Sequence, residues 1–337
     1  MWYNIKKCRI GECDMEEKRK NEKRVAVANF NIVFADENDD EKPLLDCFDS
    51  IVMPALNSGI ERQQGNNTFL LMNVEIKQDT VGEYILTGLI VKSTVLERKS
   101  MFDENGNLVE RDDVYPTAPF STFIIYLKNH RMILVENQKG SPSLDSFQST
   151  IRYIISTYVS RENHIRADQG LEQLPIPIIS IVGIVPKGGM VAALKGVEKI
   201  TTLTLKFYPL NGDGDIDLSG VMKGVTKDLR RKLGCDRGAV VYQSPKNLEG
   251  VISVVEKSEG TVEPVIKAKY PKQKRDTTIR YDEIRERRTM CLPEGDRNSE
   301  LLSMIQQGKE IDSINYTSEE NNKIYMRNRD KIAAHMK

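Results

Sequence analysis

The chain has 337 residues, 39% of them hydrophobic and 29% charged, which is the composition of a globular protein with a polar surface. Its 49 Lys and Arg residues balance 49 Asp and Glu residues, so the net charge is zero and no overall field directs it to nucleic acid. No stretch approaches the ~18 consecutive apolar residues of a membrane span, and the first residues lack the apolar run of a signal peptide. We therefore expect a cytoplasmic protein without membrane contact, in which nucleic-acid binding would need a local basic patch.

Cysteine and histidine are few and scattered. The chain has five cysteines, an odd number, and its three histidines lie far along the chain from Cys8 and Cys13. A zinc site normally needs two close pairs of ligands. We expect reduced thiols and no metal site among these residues.

The first half of the chain mixes strand and helix patterns. Alternating apolar residues predict strands, and apolar residues spaced three and four apart predict helices. An Asn-Gly pair at 105–106 predicts a hairpin turn. In chain order the predicted elements are a strand at 24–35, a helix from Pro43 to Gly59, strands at 68–77 and 84–99, two short strands within 120–137 and a helix at 143–167 capped by Ser141 or Ser143.

The second half repeats this mixture after a polar, proline-flanked stretch near 168–177. Its predicted elements are strands at 176–182, 201–210, 238–245 and 261–271, helices at 188–200 and 217–234, and an ambiguous segment at 247–260. This order predicts an α+β protein with two mixed lobes, 24–168 and 175–266, built on mainly antiparallel sheets. A charged N-terminal arm, 1–23, would precede them. A basic, extended arm with a C-terminal helix, 267–337, would follow.

The basic arm is the clearest electrostatic signal. It begins with nine cations against four acids and contains Tyr270 and Tyr281, which can stack on bases. Arg230 and Arg231 lie at the end of the predicted helix 217–234, where the helix dipole alone would favour cations. A solvated charge run is the alternative interpretation. The cations expected to contact phosphates are Lys267, Lys269, Lys272, Lys274, Arg275, Arg280, Arg285, Arg287 and Arg288, together with Arg230 and Arg231.

A metal-dependent nuclease is the first catalytic alternative. Such enzymes hold Mg²⁺ with an Asp and a Glu and place a Lys beside the attacking water. Glu75 and Lys77 are two residues apart on a predicted strand, so they point the same way, and Asp46 or Asp49 lies upstream. Mg²⁺ would be the only cofactor, and Asp49, Glu75 and Lys77 the catalytic set. The competing interpretation is a solvated strand face.

A ribonuclease at the C-terminus is the second catalytic alternative. Arg329 and His335 form a pattern similar to the active site of an all-helical ribonuclease family. Thr317 and Glu320 have the spacing of a capping box, which predicts a helix starting there. On a regular helix Arg329 and His335 would lie about 240° apart, which does not bring them together.

These patterns leave three functional hypotheses. The leading one is a non-catalytic, nucleic-acid-associated or assembly subunit that contacts DNA or RNA, or a protein partner, through the basic arm. In its general character the chain is similar to bacterial or phage-encoded conflict proteins, which implies a defence system. The rivals are a nuclease and a purely structural homo-oligomer.

Overall fold

The computed structural model describes residues 22–36, 41–212, 232–235, 237–280, 284, 287–293 and 295–336. Within these residues the strands are β1 (Glu22–Ala35), β2 (Glu41–Pro43), β3 (Arg62–Gln64), β4 (Asn67–Gln78), β5 (Tyr84–Phe102), β6 (Leu108–Thr117), β7 (Phe120–Tyr126), β8 (Arg131–Glu136), β9 (Ile176–Gly183), β10 (Lys199–Phe207), β11 (Gly238–Gln243), β12 (Val262–Lys269), β13 (Thr277–Arg280) and β14 (Arg287–Cys291).

The helices of the same residues are fewer. They are α1 (Met53–Leu56, entered through a 3-10 turn Leu44–Cys47 and a π-helical turn Phe48–Val52), α2 (Leu144–Asp168), α3 (Gly189–Ala193), α4 (Leu248–Lys257), α5 (Arg297–Lys309), α6 (Asp312–Asn315) and α7 (Glu319–Ala333). Among the described residues no helix combines the length and the apolar character needed to cross a membrane.

The first sheet is built around the long strand β1. Its order is β14-β1-β8-β7-β5-β4-β3, with antiparallel pairing throughout. The first half of β1 pairs with β14 on one edge and β8 on the other, and its second half pairs with β9 and β2. Because a strand has only two edges, β14 and β9 follow one another along the same edge of β1. One strand thus connects elements from both ends of the chain.

Alternation along β1 supplies both faces of this sheet. Phe30 and Ile32 point into a core shared with α1, α2 and α7, whereas Val25 and Val27 point into a second core covered by α5 and α6. Successive side chains of a strand face opposite sides, so a strand with apolar residues at nearly every position must be covered on both. The C-terminal helices therefore complete the protein's central layer.

The second sheet has the order β11-β10-β12-β13 and is antiparallel. Helices α3 and α4 cover one of its faces, with Met190 and Val255 packed among strand residues such as Leu203 and Ile266. The other face has no covering element among the described residues. The prediction of an α+β fold with mainly antiparallel sheets is confirmed.

The segment 267–337 differs from the extended arm that its charge predicts. Its first residues lie in β12 and β13 of the second sheet, β14 pairs with β1 of the first, and α5 to α7 pack on that sheet. The physical reason is alternation, because its charged residues are interleaved with Ala268, Ile279 and Met290, which are buried. The predicted arm 1–23 lies almost entirely outside the described residues.

Polar contacts at the ends of the helices stabilise this arrangement. Ser143 caps α2 by accepting a hydrogen bond from the Ser146 amide, as one of the two predicted alternatives states. Helix α7 is capped by Ser318, whose side chain accepts from the Asn321 amide, and not by Thr317 as the capping-box pattern predicts. Either residue can cap a helix, so the spacing locates the helix to within one residue.

The end of α5 is held by an ion-pair network. Lys309 contacts Asp79 and, at 3.1 Å, Glu83, and Lys128 contacts Glu83 at 2.6 Å. Burial alone would raise the pKa of Glu83, but the hydrogen bonds from Lys128 and Lys309 lower it below its usual range. The carboxylate therefore stays ionised at neutral pH and keeps α5 attached to the turn after β4.

Candidate nucleic-acid interface

Strand β12 places two predicted cations on the uncovered face of the second sheet. Ile266 and Ala268 are fully buried in the core beneath α3 and α4. Lys267 and Lys269 alternate with them along the strand, so both side chains project from the opposite face. Residues two apart on a strand are separated by about 7 Å, which makes the two ammonium groups neighbours.

Neighbouring strands extend this basic face sideways. Lys267 lies opposite Thr202 of β10 on one side and Thr278 of β13 on the other. Arg280 lies opposite Val265 of β12, whose side chain is on the same face as that of Lys267. Directly paired residues share a face, so two cations and two threonine hydroxyls are arranged across three strands.

The turn between β12 and β13 adds three more of the predicted cations. Lys272, Lys274 and Arg275 lie in this turn and are exposed. Lys199, which the sequence patterns did not single out, pairs with Lys269 and adds a further cation to the same face. We call Lys199, Lys267, Lys269, Lys272, Lys274, Arg275 and Arg280 the basic face.

No residue of the basic face forms an ion pair with any described acid. Glu263 projects from the same face, but Lys206 binds it at 2.5 Å and the Tyr208 hydroxyl donates to it at 2.7 Å. Burial, together with this hydrogen bond to Glu263, raises the pKa of Tyr208 to about 12, so the phenol stays protonated. Glu263 is thus already partnered, and Asp276, in the turn between β12 and β13, accepts a hydrogen bond of 2.8 Å from the Thr201 hydroxyl. Neither acid is ion-paired with a cation of the basic face, so these cations remain available to an anion.

The other predicted nucleic-acid residues lie elsewhere. Arg287 and Arg288 belong to β14, where Arg288 pairs with Val25 of the first sheet. Arg230, Arg231, Arg285 and Tyr281 lie outside the described residues. Tyr270 donates a hydrogen bond of 3.4 Å to the carbonyl of Ala193 in α3, on the covered side of the sheet. The base-stacking role predicted for Tyr270 therefore has no geometric support.

The predicted catalytic set of Asp49, Glu75 and Lys77 is not brought together. Glu75 and Lys77 of β4 form an ion pair of 3.1 Å, and Ile76 between them is buried in the core on the α1 side. Their side chains therefore face the other side of the sheet, where Glu75 lines a cavity of about 370 Å³ with Lys23, Arg297 and Glu300. Asp49 lies on the α1 side and does not meet them. Among the described residues, no group of three possible ligands is placed to hold a metal ion.

His335 and Asp49, taken from two different catalytic patterns, contact each other. The His335 Nε2 atom lies 2.7 Å from Asp49 Oδ1, and Phe48 packs edge-on against the imidazole at 5.7 Å between ring centroids. Arg329 instead lies over the Tyr84 ring, 5.8 Å from its centroid. Arg329 and His335 thus have separate partners, as regular helix geometry predicts.

Neighbouring contacts give this surface a structural role as well. Arg327 binds Asp46 at 2.7 Å, and Asn328 donates to the same carboxylate at 2.7 Å, which holds α7 against the segment that leads into α1. Cys47 lies between Asp46 and Phe48 but is buried, and burial raises the pKa of its thiol to about 11. A thiol with that pKa is protonated at neutral pH and is not a nucleophile.

No protein-family model matches the chain, and none of the curated proteins compared with it gives a match. Fold class, α+β, and the geometry of the surfaces above are therefore the basis for any functional inference.

Proposed function

We propose that this protein binds the sugar-phosphate backbone of nucleic acid on the basic face of its second sheet. The observation that carries the proposal is that four cations lie on one uncovered face and three more are exposed in the turn beside it, none of the seven in an ion pair with a described acid. Six of them belong to the segment whose composition predicts nucleic-acid contact. Thr202 and Thr278 flank Lys267 and offer hydroxyl groups to phosphate oxygens.

The charge balance of the chain makes a local surface necessary. With a net charge of zero, the attraction must come from the basic face itself and act at short range. Lysine, threonine and arginine contacts to phosphates fix position but carry no base information. We therefore expect binding that is strongly salt-dependent and nearly independent of sequence, and a protein that acts as a subunit in the cytoplasm without catalysing a reaction.

The test compares two triple variants with the same charge change. Lys267→Gln, Lys269→Gln and Arg280→Gln remove three cations of the basic face, while Lys139→Gln, Arg161→Gln and Lys323→Gln remove three exposed cations elsewhere. Binding of labelled single-stranded and duplex oligonucleotides is followed by fluorescence anisotropy at several salt concentrations. The first variant is expected to bind more weakly and to lose about 2–3 units from the slope of log K against log salt. The control variant should keep the wild-type slope.

Two results contradict the proposal. One is the absence of a complex with every oligonucleotide at the lowest salt concentration that keeps the protein in solution. The other is an equal loss of affinity in both triple variants, because that would assign the binding to overall charge instead of to the basic face.

The contact between Asp49 and His335 favours a second function, cleavage of RNA or DNA. A carboxylate bound to one ring nitrogen orients a histidine so that the other nitrogen can exchange a proton with a substrate. The wild type and His335→Ala are incubated with labelled nucleic acids, with and without Mg²⁺, and Glu75→Gln serves as the control on the opposite side of the sheet. Cleavage that His335→Ala abolishes and Glu75→Gln preserves would favour the enzyme. Intact substrate in every lane would contradict cleavage and leave nucleic-acid binding as the proposed function.

A further inference from the structure

Strands β5 and β6 continue beyond the first sheet as a two-stranded ribbon. The last pairs of β5 with its sheet neighbours are Ser93 with Thr68 and Val91 with Phe120. Past these pairs, residues 94–102 of β5 pair with residues 108–117 of β6 and with no other described strand. We call these two stretches the ribbon. Among the residues that the structure describes, no strand pairs with either of its outer edges.

The ribbon exposes large apolar side chains. Phe102, Leu108 and Leu96 are 68%, 67% and 61% exposed, and Val114 and Tyr115 are about half exposed. A two-stranded ribbon with no further cover is marginally stable in water, and exposed apolar patches mark interaction surfaces. The ribbon therefore has the properties of a surface that binds another protein chain.

A bulge fixes which side chains share a face. Leu96 pairs with Tyr115, and Phe102 pairs with Leu108. Between these pairs the register shifts, because Arg111 and Asp112 of β6 together lie opposite the single residue Lys99. The extra residue keeps both apolar pairs on the same face, although they fall on opposite sides of the bulge.

We propose that the ribbon pairs with the ribbon of a second copy of this chain, through antiparallel contact between the two β6 edges. The centre of the pairing lies between Arg111 and Asp112. In such a symmetric pairing, side chains that lie opposite each other must project from the same face of the sheet. Because the bulge changes the alternation along β6, this holds only when a residue before the bulge lies opposite a residue after it. This register satisfies that condition over the whole of residues 108–115.

In this register, each pair of opposing residues from the two copies is either favourable or has its charge balanced by a neighbouring residue. Leu108 meets Tyr115 of the second copy, and Val109 meets Val114 of the second copy. Because Leu108 already pairs with Phe102, and Tyr115 with Leu96, a continuous row of four apolar side chains crosses the new four-stranded sheet. By symmetry the row occurs twice.

The charges of β6 are complementary in the same register. Arg111 lies opposite Asp112 of the second copy, also twice by symmetry. Glu110 meets Asp113, but Arg98 binds Asp113 across the ribbon at 2.5 Å and balances its charge. Pro116, which has no N–H to donate to a ladder, lies just outside the paired residues.

The size of the contact sets the expected affinity. Pairing of two strand edges with a few apolar rows buries less than the roughly 1,600 Å² of a standard stable interface. We therefore expect a reversible dimer that dissociates on dilution.

Sedimentation of the full chain over a series of concentrations tests the dimer, and charge reversal tests its register. Arg111→Asp places two aspartates opposite each other, and Asp112→Arg places two arginines opposite each other. Each single variant is expected to dimerise roughly 5- to 30-fold more weakly than the wild type. Equal amounts of the two variants should form a mixed dimer, because all four charges are then complementary. The double variant Arg111→Asp, Asp112→Arg should likewise restore the homodimer.

Several outcomes would overturn this assignment. A wild type that stays monomeric at every concentration would contradict pairing between two copies of the chain. A dimer that both single variants keep would lie on another surface, and single variants that fail to pair when mixed would exclude this register. Matching circular dichroism spectra and melting temperatures verify that the variants are folded.

Discussion

Replacing Gly88 with alanine is expected to destabilise the protein by about 1–3 kcal/mol, near the upper end of that range. Gly88 lies in the middle of β5 and pairs directly with Phe123 of β7. A Cβ atom at this position would lie 2.5 Å from the Phe123 Cζ atom and 3.2 Å from a methyl carbon of Val74. The glycine is therefore required by the ring that lies across it. Denaturant unfolding would show the loss as a lower midpoint with an unchanged slope.

The Phe123 ring is surrounded by other buried side chains. Phe123 is fully buried and packs on Phe147 of α2 at 5.2 Å between centroids, and Phe147 packs in turn on Phe30 of β1 at 6.2 Å. Displacing one ring would disturb all three, because a close-packed interior transmits strain. The substitution would therefore lower the free energy of unfolding by weakening the contact between α2 and the first sheet.

Two variants check this explanation. Gly238→Ala changes a strand glycine whose added Cβ meets nothing within 4 Å, so its stability should stay within about 0.5 kcal/mol of the wild type. Phe123→Leu should cost less in the Gly88→Ala background than in the wild type, because the smaller side chain relieves the overlap. If Gly88→Ala proves as stable as Gly238→Ala, the assigned close contact is wrong.

Local patterns predict the elements of this fold well and their partners poorly. The strand at 24–35 and the helix at 143–167 are found as β1 and α2 because their apolar periodicity is long and regular. The segment 247–260 is ambiguous in sequence, since its valines and isoleucine suit either a strand or a helix, and it contains α4. Strands β13 and β14 are only four and five residues long, and they owe their existence to pairing with β12 and β1.

For the candidate sites, too, sequence patterns indicate individual residues but not the residues that lie beside them. The count of cations locates the basic face, but only the register of β10, β12 and β13 places Lys199, Thr202 and Thr278 beside Lys267 and Arg280. Plain alternation along 199–207 would place Lys199 on the covered face with Leu203 and Leu205, and only the irregularity between Ile200 and Thr202 turns it to the basic face. The contact between Asp49 and His335 joins residues 286 positions apart, which no local spacing predicts.

Ending the chain after Thr317 is expected to unfold the first sheet, because α7 is part of the core that covers it. Ile324, Tyr325 and Ile332 are at most 4% exposed within the core that also contains Phe30 and Ile32. Burial of each such side chain contributes about 1.5–3 kcal/mol, so removal of all three approaches the whole stability of a typical domain, about 5–15 kcal/mol. Circular dichroism and thermal unfolding of the shortened chain measure the loss directly.

Polar contacts add to this dependence and supply a control. The Tyr325 hydroxyl accepts a hydrogen bond of 2.9 Å from the Tyr84 amide at the start of β5. His335→Ala keeps all of α7 and removes the solvent-accessible contact with Asp49 and the edge contact with Phe48, so its effect should be about 1 kcal/mol, well below that of the truncation. A chain that ends at Thr317 and still melts cooperatively near the wild-type temperature would instead support a separable C-terminal arm. The opposite result would show that the segment following the basic residues completes the central sheet, because its apolar positions, and not its charges, decide where it packs.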